Sequence, residues 1–142
     1  MKKLLLTGVA CTLVIFFLSF VIHGVLLEPY YTPLAERGVF RMPIDANGYM
    51  HFMIIAQVIF GFAFAWIYTQ GIDKGRPWHL QGLRFGLAAA CLAIVPRFLI
   101  YYVVQPLPGM LVVQQIVFDS IAIVITGLVA AFINKDRLTP QD

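Results

Sequence analysis

Four long stretches of the chain are dominated by apolar side chains, and most polar side chains lie between them. The stretches cover residues 4–27, 49–70, 83–104 and 110–133, so each is 22 to 24 residues long. A helix of about 20 apolar residues spans the hydrocarbon core of a bilayer. No backbone N–H or C=O group can stay unpaired in lipid, so each stretch is predicted to be helical. The pattern predicts an all-α integral membrane protein with four spans and one domain, residues 1–142.

The composition agrees with this fold class and excludes a soluble monomer, since 61% of the residues are apolar and 12% are charged. The start of the chain resembles a secretory signal, with two lysines before an apolar run. That run continues to Leu27, about twice the usual apolar length of a signal, so we expect a retained first helix. The lipid bilayer is thus the first predicted partner.

The basic residues predict the orientation of the spans. Seven of the ten Lys and Arg residues flank one side, namely Lys2, Lys3, Lys74, Arg76, Arg84, Lys135 and Arg137. The other side has only Arg37 and Arg41. Because Lys and Arg accumulate on the cytoplasmic side, we predict an up-down four-helix bundle in a bacterial inner membrane, with both termini cytoplasmic. The basic residues form no run interleaved with aromatics, so no nucleic-acid partner is predicted.

Two ionisable residues lie inside the third and fourth spans, at Arg97 and Asp119. Either one alone would cost about +2.5 to +3.5 kcal/mol at the centre of a span. The tight turn around Pro108 predicts a helical hairpin, and reflection about Pro108 places Arg97 and Asp119 at the same depth, about 16 Å below the turn. The same reflection pairs Tyr101 with Gln115. The sequence therefore predicts a polar ladder between these two helices.

Two interpretations of this ladder remain open at the level of sequence. It is either a structural lock, in which each charge removes the other's desolvation cost, or a site for a polar or anionic ligand or for a proton. Pro96 removes a backbone donor beside Arg97 and predicts a kink there. Gln57, in the second span, would join this polar cluster if the helix faces converge.

Small residues recur at four-residue spacing in the third span and predict a close helix contact. They are Gly82, Gly86 and Ala90, and they face Thr126, Gly127, Ala130 and Ala131 of the fourth span. Such faces, in a small chain with almost no mass outside the membrane, favour a homo-oligomer or a subunit of a larger membrane complex.

Two histidines near the predicted outer side form a second candidate site. His23 lies near the end of the first span and His51 near the start of the second. Two His side chains at one depth on adjacent helices could ligate a b-type haem or a metal ion. No cofactor is predicted as the first choice, and haem or metal at His23 and His51 is the lower-ranked alternative.

The segment after the first span resembles an uncharacterised family of small four-helix bacterial membrane proteins with a Gly…Trp-Tyr-Ser-Pro-Leu signature. Tyr31, Thr32, Pro33 and Leu34 match it in type, with Tyr30 in the place of Trp. The resemblance implies the same four-span layout and a shaped turn at the outer interface. It implies no catalytic residue.

These features favour a non-enzymatic protein, since no catalytic motif is evident. The leading hypothesis is an accessory subunit or homo-oligomer with a small polar pocket inside the membrane, centred on Arg97 and Asp119. The alternative is a small proton-coupled transporter in which Asp119 carries the proton and Arg97 sets its affinity. Redox chemistry at His23 and His51 ranks last.

Overall fold

The computed structural model describes residues 1–41 and 47–137, which are helical with no strand among them. It contains five helices, and short 3₁₀ turns precede the third and follow the fifth. The helices are α1 (Lys2–Leu26), α2 (Glu28–Glu36), α3 (Met50–Gln70), α4 (Trp78–Val104) and α5 (Gly109–Ile133). The four other than α2 are long and apolar enough to cross a membrane, which confirms the predicted number of membrane helices.

Helix α4 begins at Trp78, five residues before the predicted start at residue 83. Pro77 stands at the N-cap, where a missing N–H costs nothing. Gln81 is buried in this added turn, and its Nε2 donates to the backbone oxygen of Gly71 at 2.7 Å, just after α3. This polar turn is helical because Gln81 satisfies a free carbonyl at the end of α3.

Helix α5 has more buried residues than any other described helix, and it packs against α1 and α4. Its contact with α4 is close: a Cβ added to Gly86 would lie 2.6 Å from the Cα of Val124, and one added to Gly82 would lie 2.8 Å from the backbone oxygen of Gly127. The small residues thus let the two backbones approach, as the spacing predicted.

Two polar contacts join the chain ends. Asn134 Nδ2, just after α5, donates to Thr7 Oγ1 of α1 at 2.9 Å, and Lys3 forms an ion pair with Asp136. We call this the terminal end of the bundle and the opposite one, which carries α2, the α2 end. The terminal end is therefore closed by both small-residue packing and buried hydrogen bonds.

Helix α3 is buried only in its second half, where Gly61, Phe64, Ala65 and Tyr68 enter the core. Its first half, residues 50–59, is exposed except for the half-buried Gln57. Gln57 Nε2 donates to Ser19 Oγ of α1 at 3.3 Å. Gln57, which was predicted to join the Arg97 cluster if the helix faces converge, makes its hydrogen bond to α1 instead.

Two segments of the membrane helices are π-helical, at Ile22–Leu26 in α1 and Ala90–Ile94 in α4. The second lies directly before Val95–Val104, whose second residue is Pro96. A proline cannot donate to the carbonyl one turn earlier, so the wider turn accommodates the break that the sequence predicted as a kink. The first segment contains His23. Segments of this kind are frequent at functional sites.

Candidate functional site

Asp119 is bound by two other helices through its two carboxylate oxygens. It lies on α5 and is 6% exposed. Its Oδ2 accepts from Arg97 Nη2 of α4 at 3.1 Å, and its Oδ1 lies 3.0 Å from His23 Nε2 of α1. The Arg97–Asp119 contact is the one that reflection about the tight turn predicted. A carboxylate inside an apolar span is tolerated when a cation and further donors compensate its desolvation, and both are present here.

The network continues from His23 to α2. His23 Nδ1 lies 2.7 Å from the hydroxyl of Tyr31, and the same hydroxyl accepts from Gln115 Nε2 at 2.9 Å. With His23 neutral, one assignment of protons satisfies every contact. Gln115 donates to Tyr31, Tyr31 donates to Nδ1 of a neutral His23, and His23 Nε2–H donates to the Asp119 carboxylate.

Local structure of α2 places Tyr31 in this network. Helix α2 starts with Glu28 and Pro29 in its first turn, both of which favour a helix N-terminus. It ends before Gly38, whose φ of +74° lets the chain reverse. Phe40 then packs edge-on against the Tyr31 ring, with centroids 5.5 Å apart. Tyr31 is held between that ring and His23.

Burial raises the pKa of the Tyr31 hydroxyl, although the hydrogen bond from Gln115 acts in the opposite direction. Tyr31 therefore keeps its proton at neutral pH and acts as a hydrogen-bond donor. Arg97 is the most accessible member of the network, with 47% of its side chain exposed, and its guanidinium lies 4.6 Å from the centre of the Phe98 ring.

A cavity of about 570 Å³ opens at the α2 end, directly against this network. Its polar lining comes from α1, α2, α5 and the tight turn, through His23, Glu28, Tyr31, Thr32, Gln105 and Gln115. Its apolar lining is supplied by Ala35, Phe40, Phe98 and Leu107, while Arg41 and Tyr101 are amphipathic. Volumes of about 300–1,000 Å³ with an apolar wall and a few convergent polar groups are typical of small-molecule sites.

A second cavity, of about 310 Å³, lies near the loop between α3 and α4. Its polar groups are already partnered: Asp73 pairs with Arg76 and lies 4.0 Å from Arg84, and Gln81 is bound to the Gly71 carbonyl. The cavity at the α2 end is therefore the stronger candidate for a ligand site.

Tyr101 and Gln115 both line the larger cavity. The sequence predicted that they pair with each other, but Gln115 makes a different contact. Gln115 donates to Tyr31, and Tyr101 packs against Phe98 with ring centroids 6.2 Å apart. The reflection considered only α4 and α5. Because α2 folds over the ends of these helices, its Tyr31 reaches Gln115 instead.

The two histidines that were candidate haem or metal ligands have separate surroundings. Both ring nitrogens of His23 are engaged, by Tyr31 and Asp119, whereas His51 is exposed and packs on Phe52 with ring centroids 4.1 Å apart. Across residues 1–41 and 47–137, no group of three or more His, Cys, Asp or Glu side chains could hold a metal ion.

Sequence reasoning assigned Tyr31 only to a turn and did not connect His23 with Asp119. A helix-start signal at Glu28-Pro29 could have predicted α2. The eight-residue separation of His23 and Tyr31 alone does not predict their contact, since the chain turns between α1 and α2.

Comparison with family models, with curated proteins and with solved structures found no match to this chain. A fold of four membrane helices hosts many unrelated activities. The function is therefore argued from the geometry and chemistry of the site alone.

Proposed function

We propose that this is a membrane-embedded binding protein that holds a small amphiphilic molecule in the cavity at the α2 end. The observation that carries the proposal is the position of the 570 Å³ cavity, which joins a buried hydrogen-bond network to an aromatic wall. A molecule with one polar group and an apolar body matches both surfaces. No catalytic role is assigned to the site, in line with the non-enzymatic function favoured by the sequence.

The polar side of the cavity supports a ligand that takes part in hydrogen bonding. Tyr31, His23 and Gln115 present a hydroxyl, an imidazole and an amide, and Gln115 Oε1 has no hydrogen-bond partner among the described residues. On the apolar side, Phe40, Phe98 and Leu107 supply ring and aliphatic surface. Burial of apolar surface drives binding, and the polar groups set the orientation.

The lock and the site, which the sequence left as alternatives, coexist in this proposal. Asp119 fixes Arg97 of α4 and His23 of α1 against α5, and His23 in turn fixes Tyr31 at the cavity. A residue network that is rigid because it holds helices together also gives a ligand a pre-organised surface.

The proposal includes the predicted orientation, with an up-down bundle in a bacterial inner membrane and the α2 end outside. The seven-to-two distribution of basic residues supports it. Its test is labelling with a membrane-impermeant maleimide in intact cells. Glu36→Cys should react and Lys74→Cys should react only after lysis; the reverse result overturns the orientation.

Association with other membrane helices, as an accessory subunit or homo-oligomer, is part of the same proposal. The half-exposed Arg97 supports it, because a cation on the surface of a span gains from a neighbouring acceptor. Native mass spectrometry from a mild detergent tests it. A complex with a fixed stoichiometry supports the proposal, and a bare monomer contradicts it.

Proton-coupled transport is the second candidate, and the contact between His23 and Asp119 favours it because it joins two titratable groups. The close packing of Gly82 against Gly127 at the terminal end opposes a path through a single chain. Liposome flux of decanesulfonate under a pH gradient tests it. Flux that is lost in Asp119→Asn supports transport, and no flux in the wild-type protein rejects it.

The binding proposal is tested with three probes of equal chain length: decanol, decanesulfonate and decyltrimethylammonium. Equilibrium dialysis against protein in phosphatidylcholine nanodiscs, with empty nanodiscs as the blank, measures saturable binding. We expect at least one probe to bind at one molecule per chain. Ala35→Phe, which fills the cavity, should abolish that binding, and Ala93→Phe, on an exposed face of α4, should preserve it. No saturable binding of any probe, or equal binding by the two variants, contradicts the proposed function.

A further inference from the structure

The hydroxyl of Tyr31 is the point where the buried network meets the cavity, and it has one proton to donate. Gln115 Nε2 approaches it as a donor at 2.9 Å, so Gln115 uses a lone pair of the oxygen and leaves the proton free for another acceptor. Two directions remain for that proton: His23 Nδ1, at 2.7 Å, or the cavity that Tyr31 lines.

The protonation state of His23 decides between these directions. When His23 is neutral, Nδ1 accepts from Tyr31 and the hydroxyl donates nothing to the cavity. When His23 is protonated, both of its ring nitrogens are donors, so Nδ1–H donates to Tyr31 and the Tyr31 proton turns to the cavity. Asp119 Oδ1, 3.0 Å from Nε2, stabilises the imidazolium without any movement of the helices.

Protonation of His23 also changes the net charge of the site, in the direction that favours an acceptor with negative charge. His23 contacts Tyr31 of α2 and Asp119 of α5, and Asp119 also binds Arg97 of α4. Glu28 of α2, Tyr101 of α4 and Arg41 share the cavity lining with His23. Residues 50–70 of α3 contribute no ionisable side chain to the cavity lining. With His23 neutral, Arg41 and Arg97 balance Glu28 and Asp119. With His23 protonated, the site carries one positive charge in excess.

Among the described residues, Glu28 accepts no hydrogen bond from Tyr31. Its Oε1 accepts from Thr32 Oγ1 at 2.7 Å, one turn along α2. A ligand with an acceptor oxygen is therefore the partner that the protonated state lacks. The arrangement favours a negatively charged head group, which gains both the Tyr31 hydrogen bond and the excess charge.

We propose that the cavity binds the anionic head group of an amphiphile together with one proton. His23 holds that proton, and the Tyr31 hydroxyl then donates its hydrogen bond to the head group. This inference rests on the proposed function and adds its ligand class and its pH dependence. Carboxylate, sulfonate and phosphate head groups share the required chemistry. Neutral and cationic amphiphiles lack it.

The test uses decanesulfonate, since a sulfonate stays ionised across the pH range of interest and any pH dependence then belongs to the protein. Its dissociation constant in phosphatidylcholine nanodiscs is measured at a series of pH values from mildly acidic to mildly alkaline. Uptake of one proton with the ligand predicts that the dissociation constant falls about tenfold for each pH unit that the pH is lowered. Decanol should show no such slope.

Three variants locate the effect. His23→Gln should remove the pH slope, and Tyr31→Phe should weaken the binding of decanesulfonate at low pH and leave that of decanol unchanged. The matched control is His51→Gln, an exposed histidine that should keep the full slope. Circular dichroism and the yield of purified protein, each compared with the Ala93→Phe control, identify any variant that fails to fold. If His23→Gln does not fold, calorimetry in two buffers replaces it, because this measurement counts the protons that the wild-type protein takes up on binding.

The outcomes separate this inference from the proposed function. Binding of all three probes with equal affinity and no pH slope overturns the anion and proton inference and leaves the binding function standing. A slope that persists in His23→Gln also overturns it. Absence of saturable binding rejects both. Nanodiscs that contain phosphatidylglycerol identify the source of the anion: competition with decanesulfonate indicates a two-chain lipid, and unchanged binding indicates a single-chain amphiphile.

Discussion

Replacement of Asp119 by Asn changes the charge of the central carboxylate and little of its shape. The amide oxygen that replaces Oδ1 can still accept from His23 Nε2, whereas the amide nitrogen that replaces Oδ2 faces Arg97 as a second donor. Asp119→Asn therefore removes the ion pair and leaves the cation of Arg97 unpaired in a span. Arg97→Gln leaves the carboxylate without its cation in the same way.

The magnitude follows from burial. Breaking a fully buried ion pair by removing one partner costs about 3–5 kcal/mol. Asp119 is 6% exposed but 47% of the Arg97 side chain is exposed, so the protein encloses the pair only in part. We therefore expect each single change to lower the free energy of unfolding by about 2–3 kcal/mol. The double change should cost about 3–4 kcal/mol, less than the sum of the two single changes, which gives a coupling of about 1–2 kcal/mol.

The assay is unfolding by sodium dodecyl sulfate in mixed micelles, followed by far-UV circular dichroism. A matched control is the cycle of Lys3→Gln and Asp136→Asn, which breaks an ion pair on the surface of the terminal end. Exposed pairs couple by about 0–1 kcal/mol, so the control cycle should be close to additive. Additivity in the Arg97 and Asp119 cycle as well would refute the argument that their contact compensates two charges placed inside the spans.

Three further predictions use the same protein in detergent. Gly86→Ala should lower the free energy of unfolding by about 1–3 kcal/mol, because the added Cβ meets a backbone atom of α5 at 2.6 Å. The control Gly71→Ala, whose added Cβ has nothing within 4 Å, should be nearly neutral. Equal costs would contradict the close packing. Thr7→Val should cost about 1–2 kcal/mol, because it removes an acceptor of the buried Asn134 amide, and an unchanged SDS midpoint would count against that bond. Burial raises the pKa of Tyr31. The difference in ultraviolet absorption between wild type and Tyr31→Phe, followed over pH, should therefore show ionisation of Tyr31 only above the usual tyrosine pKa of about 10. Ionisation at a lower pH would place the hydroxyl in water.

The membrane helices could be predicted because a single requirement, the pairing of every backbone group in lipid, governs them. Their ends were less predictable. Trp78 to Gln81 is polar enough to suggest a loop, yet the turn is helical because Gln81 binds the Gly71 carbonyl, a contact that hydropathy does not contain.

Half of the polar network could be predicted, and the reason is the length of the connecting turn. A five-residue turn fixes the register of α4 against α5, so Arg97 and Asp119 had to meet. His23 lies 96 residues from Asp119, and its depth relative to α5 depends on how α1 packs across the bundle. No local sequence pattern encodes that register, and the contact of Tyr31 with His23 depends on the same register.

The most direct test of the account is photo-labelling by decanesulfonate that carries a diazirine at the end of its chain, with the protein in nanodiscs and unlabelled decanesulfonate as competitor. Lipid-facing positions label without competition, so only the competed adducts report the site. If the cavity holds the amphiphile, competed adducts should appear in the peptides that contain Ala35 and Phe98, with none in Ala35→Phe protein. Competed adducts confined to residues 50–59 of α3, or no competition at any position, would contradict it.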